Sequence, residues 1–216
     1  MKKFINCFAL ALIVSVSFGL MSCDKNKKKP EPVNTPTAVV PLVVENTIST
    51  DRQQMFMMAG SEAMVKWFET TVTLTDYLNS ENCSGEIEKI VNTFQKIVEG
   101  GRGYDTMVYY FTHTKDGESR IDSIHSWFAE DMPLNDEPLK LTFKKAFERV
   151  MEANIVKPAS RYCVLRKEVG IKVCNAQYIF GNSRAQAYVD AVTGNVSAKN
   201  PVFDVEGFTM PLGEWP

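Results

Sequence analysis

The chain has only two histidines, His113 and His125, and five cysteines, with no CxxC pair among its 216 residues. Neither histidine stands in an HExxH or comparable spacing, so no metal-ligand pattern is present. Five cysteines are too few for a disulfide scaffold of this length. The G-x-S-x-G elbow, the phosphate-binding P-loop and the dinucleotide glycine fingerprint are all missing. There is no excess of basic charge either: 24 Lys and Arg against 26 Asp and Glu give a net charge of -2. A dedicated nucleic-acid binder normally carries a clear basic surplus. Twelve glycines and ten prolines exclude a collagen-like or low-complexity chain. No catalytic residue, metal or cofactor is therefore expected, and both histidines, set among strand-like residues, read as structural.

What the chain does have is a distinctive start. Lys2 and Lys3 precede an uncharged run from Phe4 to Leu20, the layout of a signal peptide over residues 1–22. Leu20-Met21-Ser22-Cys23 resembles the lipobox of bacterial lipoproteins, in which the cysteine sulfur takes a diacylglycerol before cleavage. The resemblance implies lipidation at Cys23 and a multi-chain acyl anchor, which holds a protein on a membrane far better than one chain. Residues 23–44 follow as a tether rich in lysine and proline, semi-extended and suited to anionic headgroups. Charged residues beside the cysteine resemble the Bacteroidetes pattern and imply the outer membrane. Asp24 also resembles the inner-membrane retention signal of enterobacteria, which leaves the leaflet open.

Three cysteines remain in the folded part. Cys163 and Cys174 flank a turn at Gly170 and fit two readings. One is a hairpin disulfide, which would contribute about 3 kcal/mol by closing a short loop. The other is a pair of buried thiols acting as small hydrophobes. Cys83, in a polar stretch, reads as a packed or incidental thiol.

Between the tether and residue 133 the pattern predicts a helical and β-hairpin region. Ser49-Thr50-Asp51 offers caps for a helix running on toward Leu78, with Met57, Met64 and Phe68 on its apolar face. Ile87, Ile90, Val91, Phe94, Ile97 and Val98 follow i, i+3, i+4 spacing and predict a second helix, stopped by Gly100-Gly101. Residues 104–114 read as a strand, Asp116-Gly117 as a hairpin turn, and 119–131 as a returning strand with a helical alternative.

Residues 134–216 form the second region. Thr142 can cap a helix whose stripe is Phe143, Ala146, Phe147, Val150 and Met151, ending near Asn154. Three strand candidates follow, 160–168, 173–180 and 185–192. The fold class expected is α+β, an antiparallel sheet packed against helices. Tyr188-Val189-Asp190-Ala191-Val192-Thr193-Gly194-Asn195-Val196, with the preceding helix and strands, resembles the PepSY-like domains of bacterial envelope proteins over residues 139–198. Asp190, Thr193 and Gly194 then form a structural turn motif: Gly194 takes a backbone conformation others resist, and the two polar side chains bind turn amides. Lys144-Lys145 departs from the family, where acidic residues are usual. Residues 84–129 have the same helix-strand-strand order and are a candidate second copy.

Residues 130–137 are rich in oxygen ligands but lack the spacing of a calcium loop, so they read as a linker. Asp105-Thr106-Met107 and Asp122-Ser123-Ile124 resemble a three-residue O-glycosylation signal of exported Bacteroidetes proteins. The tail holds Phe203, Phe208 and Trp215 and would either cover a sheet edge or present a patch. The expected function is a lipid-anchored binding or regulatory module of the cell envelope, without catalysis. The PepSY resemblance implies a peptidase or other envelope protein as partner. The competing expectation is a small-ligand-binding or enzymatic α+β cup. No nucleic-acid partner is expected, and the oligomeric state is open.

Overall fold

A computed structural model describes residues 41–97, 106–125, 133–135, 138–168 and 174–199. The signal segment, most of the tether, the tail aromatics and Asp105 lie outside them. The described chain is a mixed α+β protein: helix α1 (Val44–Ala59), strands β1 (Val65–Leu74), β2 (Ile87–Ile97), β3 (Thr106–Thr114) and β4 (Ser119–His125), helix α2 (Phe143–Ala153), then β5 (Tyr162–Arg166), β6 (Gln177–Gly181), β7 (Gln186–Asp190) and β8 (Val196–Lys199). The eight strands form one antiparallel sheet in the order β4-β3-β2-β1-β5-β6-β7-β8. Helix followed by four-stranded meander thus occurs twice, and the first strands of the two halves pair at the centre. No helix among the described residues is long and apolar enough to cross a membrane.

The segment expected as a second helix is β2. A bulge explains the misleading spacing. Thr73 pairs with Lys89 and Leu74 with Ile87, which leaves Glu88 without an opposite residue. Ile87 and Ile90 therefore share the core face at i, i+3, as they would on a helix. A second bulge at Phe68, between the pairs Trp67–Phe94 and Glu69–Thr93, does the same in β1, and Trp67 and Thr70 share that face. The helix expected to run toward Leu78 ends at Ala59, where Gly60 at φ 76° donates its N–H to Phe56 O. It also starts earlier than Asp51, at Val44, with Val43 as an uncapped N-cap. Met57 lies 78% exposed while Met55 is fully buried, so the packing face is Val44, Ile48, Asp51 and Met55. The candidate second copy at 84–129 rested on the absent helix. The element order that repeats begins with α1.

The second half follows expectation more closely. Thr142 Oγ1 accepts from Lys145 N at 3.3 Å, and Asn154 ends α2 in the left-handed conformation. Phe143, Ala146, Phe147 and Val150 are buried against Tyr178 and Phe180, with the Phe143 and Phe180 rings 5.9 Å apart. The meander has four strands, not three, because Val196–Lys199 pairs with β7. Residues 119–125 form the returning strand. Both helices cover the same sheet face, and the core lies between them and Trp67, Phe94, Phe111, Leu165 and Tyr178.

Beyond the central strand pair the halves are joined by further contacts, among them the Arg161–Glu88 ion pair at 2.9 Å. Phe143 N donates to Glu45 Oε1 at 2.7 Å. Strand β5 reaches only Thr70–Thr73 of β1, and Asn135 serves the rest: its Oδ1 accepts from Trp67 N at 2.6 Å and its Nδ2 donates to Val65 O at 2.7 Å. Asn135 thus acts as a strand surrogate, with its amide committed to backbone. The remaining oxygen-rich positions lie outside the described residues, apart from Pro133 and Leu134.

Candidate functional site

Three features bear on function: a buried polar chain, the turn motif, and the sheet face that neither described helix covers. The polar chain starts in α1. Asp51 is 1% exposed and accepts from Asn92 Nδ2 at 2.6 Å. His113 Nε2 stands 2.9 Å from the same carboxylate oxygen, and His113 Nδ1 lies 3.0 Å from Ser119 Oγ. On the other side Thr70 Oγ1 donates to Asn92 Oδ1 at 2.6 Å, and the Trp67 indole N–H donates to Thr70 Oγ1 at 3.2 Å. Burial raises the Asp51 pKa, opposed in part by hydrogen bonds from Asn92 and His113 and by the charge of His113. A buried carboxyl needs such partners, because a buried polar group without them costs several kcal/mol.

Serine, histidine and aspartate in hydrogen-bonded sequence is the connectivity of an activated nucleophile. Here the chain also does mechanical work. It spans α1, β1, β2, β3 and β4, and fixes the helix to the sheet by polar bonds inside an apolar core. Local sequence signals do not reveal it: Asp51 reads as a cap, and Asn92 lies inside an expected helix. The alternation Ile90-Asn92-Phe94, one polar residue between two inward apolar ones, is the signal that marks it. His113 bridges Asp51 and Ser119 within this chain, and His125 ends the exposed strand β4.

The turn motif closes as its residue types require. Asp190 Oδ1 accepts from Val192 N and Thr193 N, both at 2.8 Å. Thr193 Oγ1 accepts from Asn195 N at 3.3 Å, and Gly194 takes φ 76°. Burial alone would raise the Asp190 pKa. The bonds from Thr193, Asn175, Val192 and Gln177 outweigh it, and the pKa falls below the ordinary carboxylate value. This is a structural turn at the end of β7.

No disulfide joins Cys83, Cys163 and Cys174 to one another. Cys163 is fully buried and pairs across the hairpin with Phe180, not with Cys174. Burial pushes its thiol pKa well up. Cys174 is half-buried and directs its Sγ to Glu168 O. Cys83 packs partly against the core.

The sheet face turned away from the helices is continuous across both halves. The register lines up Thr112, Val91, Thr71, Val164, Ile179 and Tyr188 in one row. Val164, Ile179 and Tyr188 are buried, whereas Val91, Thr71 and Thr112 are half-exposed. Tyr110 and Glu69 flank Thr93 in the adjoining row. Burial, then the Glu69 charge, raises the Tyr110 pKa, so the phenol remains a donor. Ser123, in one expected glycosylation triplet, is exposed on β4, and Thr106 of the other begins β3. Among the described residues no group of three or more His, Cys, Asp or Glu side chains could hold a metal ion.

No protein-family model, curated protein or solved structure significantly matches this chain.

Proposed function

We propose that this is a cell-envelope lipoprotein, anchored by acylation of Cys23 and most at home on the outer membrane. Its folded part binds and regulates another envelope protein, with a peptidase as the class implied by the PepSY-like resemblance of residues 139–198. The resemblance rests on the Asp190–Gly194 turn and on a helix followed by a meander. The observation that carries the binding role is the sheet face opposite the two described helices. It offers half-exposed Thr71, Val91, Tyr110 and Thr112 side by side, a mixed β-branched and aromatic surface of the kind protein partners pack against.

Two experiments test the reading. An alkyne fatty acid fed to cells should label the chain, and Cys23→Ser should abolish the label; a labelled Cys23→Ser chain sinks the anchor. The full chain, cross-linked in its native envelope, should lose its captured partner when Thr71→Arg and Val91→Arg are combined. Lys144→Glu, on the exposed side of α2, should leave capture intact. If both variants capture alike, the helix-free face is not the binding surface.

The Ser119–His113–Asp51 chain favours a second reading, an enzymatic α+β cup on the envelope. A fluorophosphonate probe separates the two: covalent labelling at Ser119 that His113→Asn removes would support a hydrolytic serine.

A further inference from the structure

Among the described residues β4 is the outermost strand of the sheet, and six of its seven residues are exposed. Ile121 is 40% exposed on the helix side and Ile124 49% on the other. An open edge of this length is a template for another strand. What it selects can be worked out from its backbone phase and charges.

Thr114 N donates to Glu118 O at the hairpin, so Thr114 and Glu118 face each other across the β3–β4 ladder. Antiparallel strands alternate. The next pair, His113 and Ser119, therefore exchanges no backbone hydrogen bonds, and Ser119, Ile121 and Ser123 direct their backbone groups away from β3. A docking antiparallel strand must meet those residues with its own outward-facing ones. On the helix-free side Arg120 Nε and Asp122 Oδ2 lie 2.8 Å apart, with side chains 73% and 45% exposed.

We infer that β4 is a self-pairing edge, and that its partner is β4 of a second copy of this chain. A two-fold axis through Ile121 satisfies every condition at once. Ile121 meets the partner's Ile121 as a hydrogen-bonded pair, and Ser119 meets the partner's Ser123 in the same phase. Arg120 then stands opposite the partner's Asp122, and Asp122 opposite the partner's Arg120. Directly opposed unlike charges stabilise a strand pair, and like charges destabilise it. Moving the axis to Ser123 keeps the backbone phase but sets Asp122 against the partner's Ile124. Moving it to Ser119 sets Arg120 against the partner's Glu118 but Asp122 against the partner's Asp116, so only the first register matches both charges. The interface is isologous and closes at two copies, so it does not propagate into a filament. It does not rest on protein binding by the helix-free face. The seam is one strand wide, smaller than the about 1,600 Å² of a typical stable interface, so the association should be concentration-dependent.

The test uses the full chain in detergent, with protein mass measured by light scattering corrected for bound detergent. Mass should rise from one chain toward two with concentration. Asp122→Arg sets four arginines along the seam and should weaken association at least tenfold. The exchange Arg120→Asp with Asp122→Arg should restore it. Ile121→Cys under mild oxidation should give a chain-to-chain disulfide at that position, because hydrogen-bonded antiparallel pairs have Cα atoms about 5.5 Å apart. A single-chain mass at every concentration overturns the inference. So does a dimer that Asp122→Arg leaves unchanged, or one that the Ile121→Cys chain does not bridge.

Discussion

Glu45, in the first turn of α1, caps the N-terminus of α2 by accepting the Phe143 N–H at 2.7 Å. Helix α2 has no acidic residue in its own first turn, where Lys144 and Lys145 stand instead. The negative charge that favours a helix N-terminus comes from the other half of the molecule. The same carboxylate lies near Tyr178, whose hydroxyl donates to Leu141 O at 2.9 Å. Burial, with the Glu45 charge second, drives that phenol's pKa far upward, so it remains a donor.

Glu45→Ala should therefore destabilise the protein by about 1 kcal/mol, the usual worth of a cap. Glu45→Gln should cost less, since it keeps an acceptor. Adding Lys144→Glu to Glu45→Ala should recover part of the loss through the helix dipole. Urea denaturation of the three variants checks this, and an unchanged midpoint for Glu45→Ala would refute the cap.

Gly181 and Gly194 should respond differently to alanine. Both have positive φ, but a Cβ on Gly194 meets only the Arg149 guanidinium at ordinary contact distance. Gly194→Ala should cost about 1–2 kcal/mol for the left-handed backbone. A Cβ on Gly181 would lie 2.2 Å from Ala185 O, and its φ is 140°. Gly181→Ala should cost clearly more, with disruption of the β6–β7 hairpin visible in hydrogen exchange. Equal losses would contradict this geometry.

Asp51 and Asp190 should shape the pH profile with opposite signs. The Asp190 pKa is lowered on folding, so its stabilisation is present above the unfolded value of about 3.9 and is lost as pH falls through the folded pKa. Asp190→Asn should flatten that acid loss. The Asp51 pKa is raised, so its contribution is complete below the unfolded value and disappears as pH rises through the folded one. Asp51→Asn should remove that decline and leave stability at neutral pH equal or higher. Asp51→Leu should cost about 2–4 kcal/mol, because Asn92 and His113 lose their acceptor. Thermal melts from pH 3 to pH 8 decide it; an Asp51→Asn protein weaker than Asp51→Leu would reverse the assignment.

Thiol chemistry should separate the three cysteines of the folded part. A maleimide added to native protein should modify Cys83 and Cys174 before Cys163, which is fully buried with a raised pKa. Peptide mass spectrometry after unfolding without reductant should find all three as thiols. A peptide joining Cys163 to Cys174 would mean the disulfide alternative holds.

The second half was legible in the sequence because its signals are local. Thr142 caps, the Phe143–Val150 stripe packs, and Asp190 with Gly194 builds the turn, all within a few residues. The first half hides its fold. Its two bulges put Ile87 with Ile90, and Trp67 with Thr70, on common faces, a spacing that periodicity assigns to helices. Helix α1 begins at Val44 with no side-chain cap to announce it. The polar chain and the α2 cap were invisible for a different reason: Asp51 and His113 are 62 positions apart, and Glu45 and Phe143 are 98 apart. Such contacts exist only once the halves have met.

The central pairing of β1 with β5 makes the chain a tandem fusion in which an internal seam does the work of a subunit interface. Each half alone would expose its first strand as a raw edge and leave its helix with half a sheet to cover. Residues between β4 and α2 act as a covalent clasp that raises the effective concentration of one half near the other. Two separate polypeptides, one ending after β4 and one beginning before α2, should reassemble by that seam, with Glu45 finding the Phe143 N–H across the break.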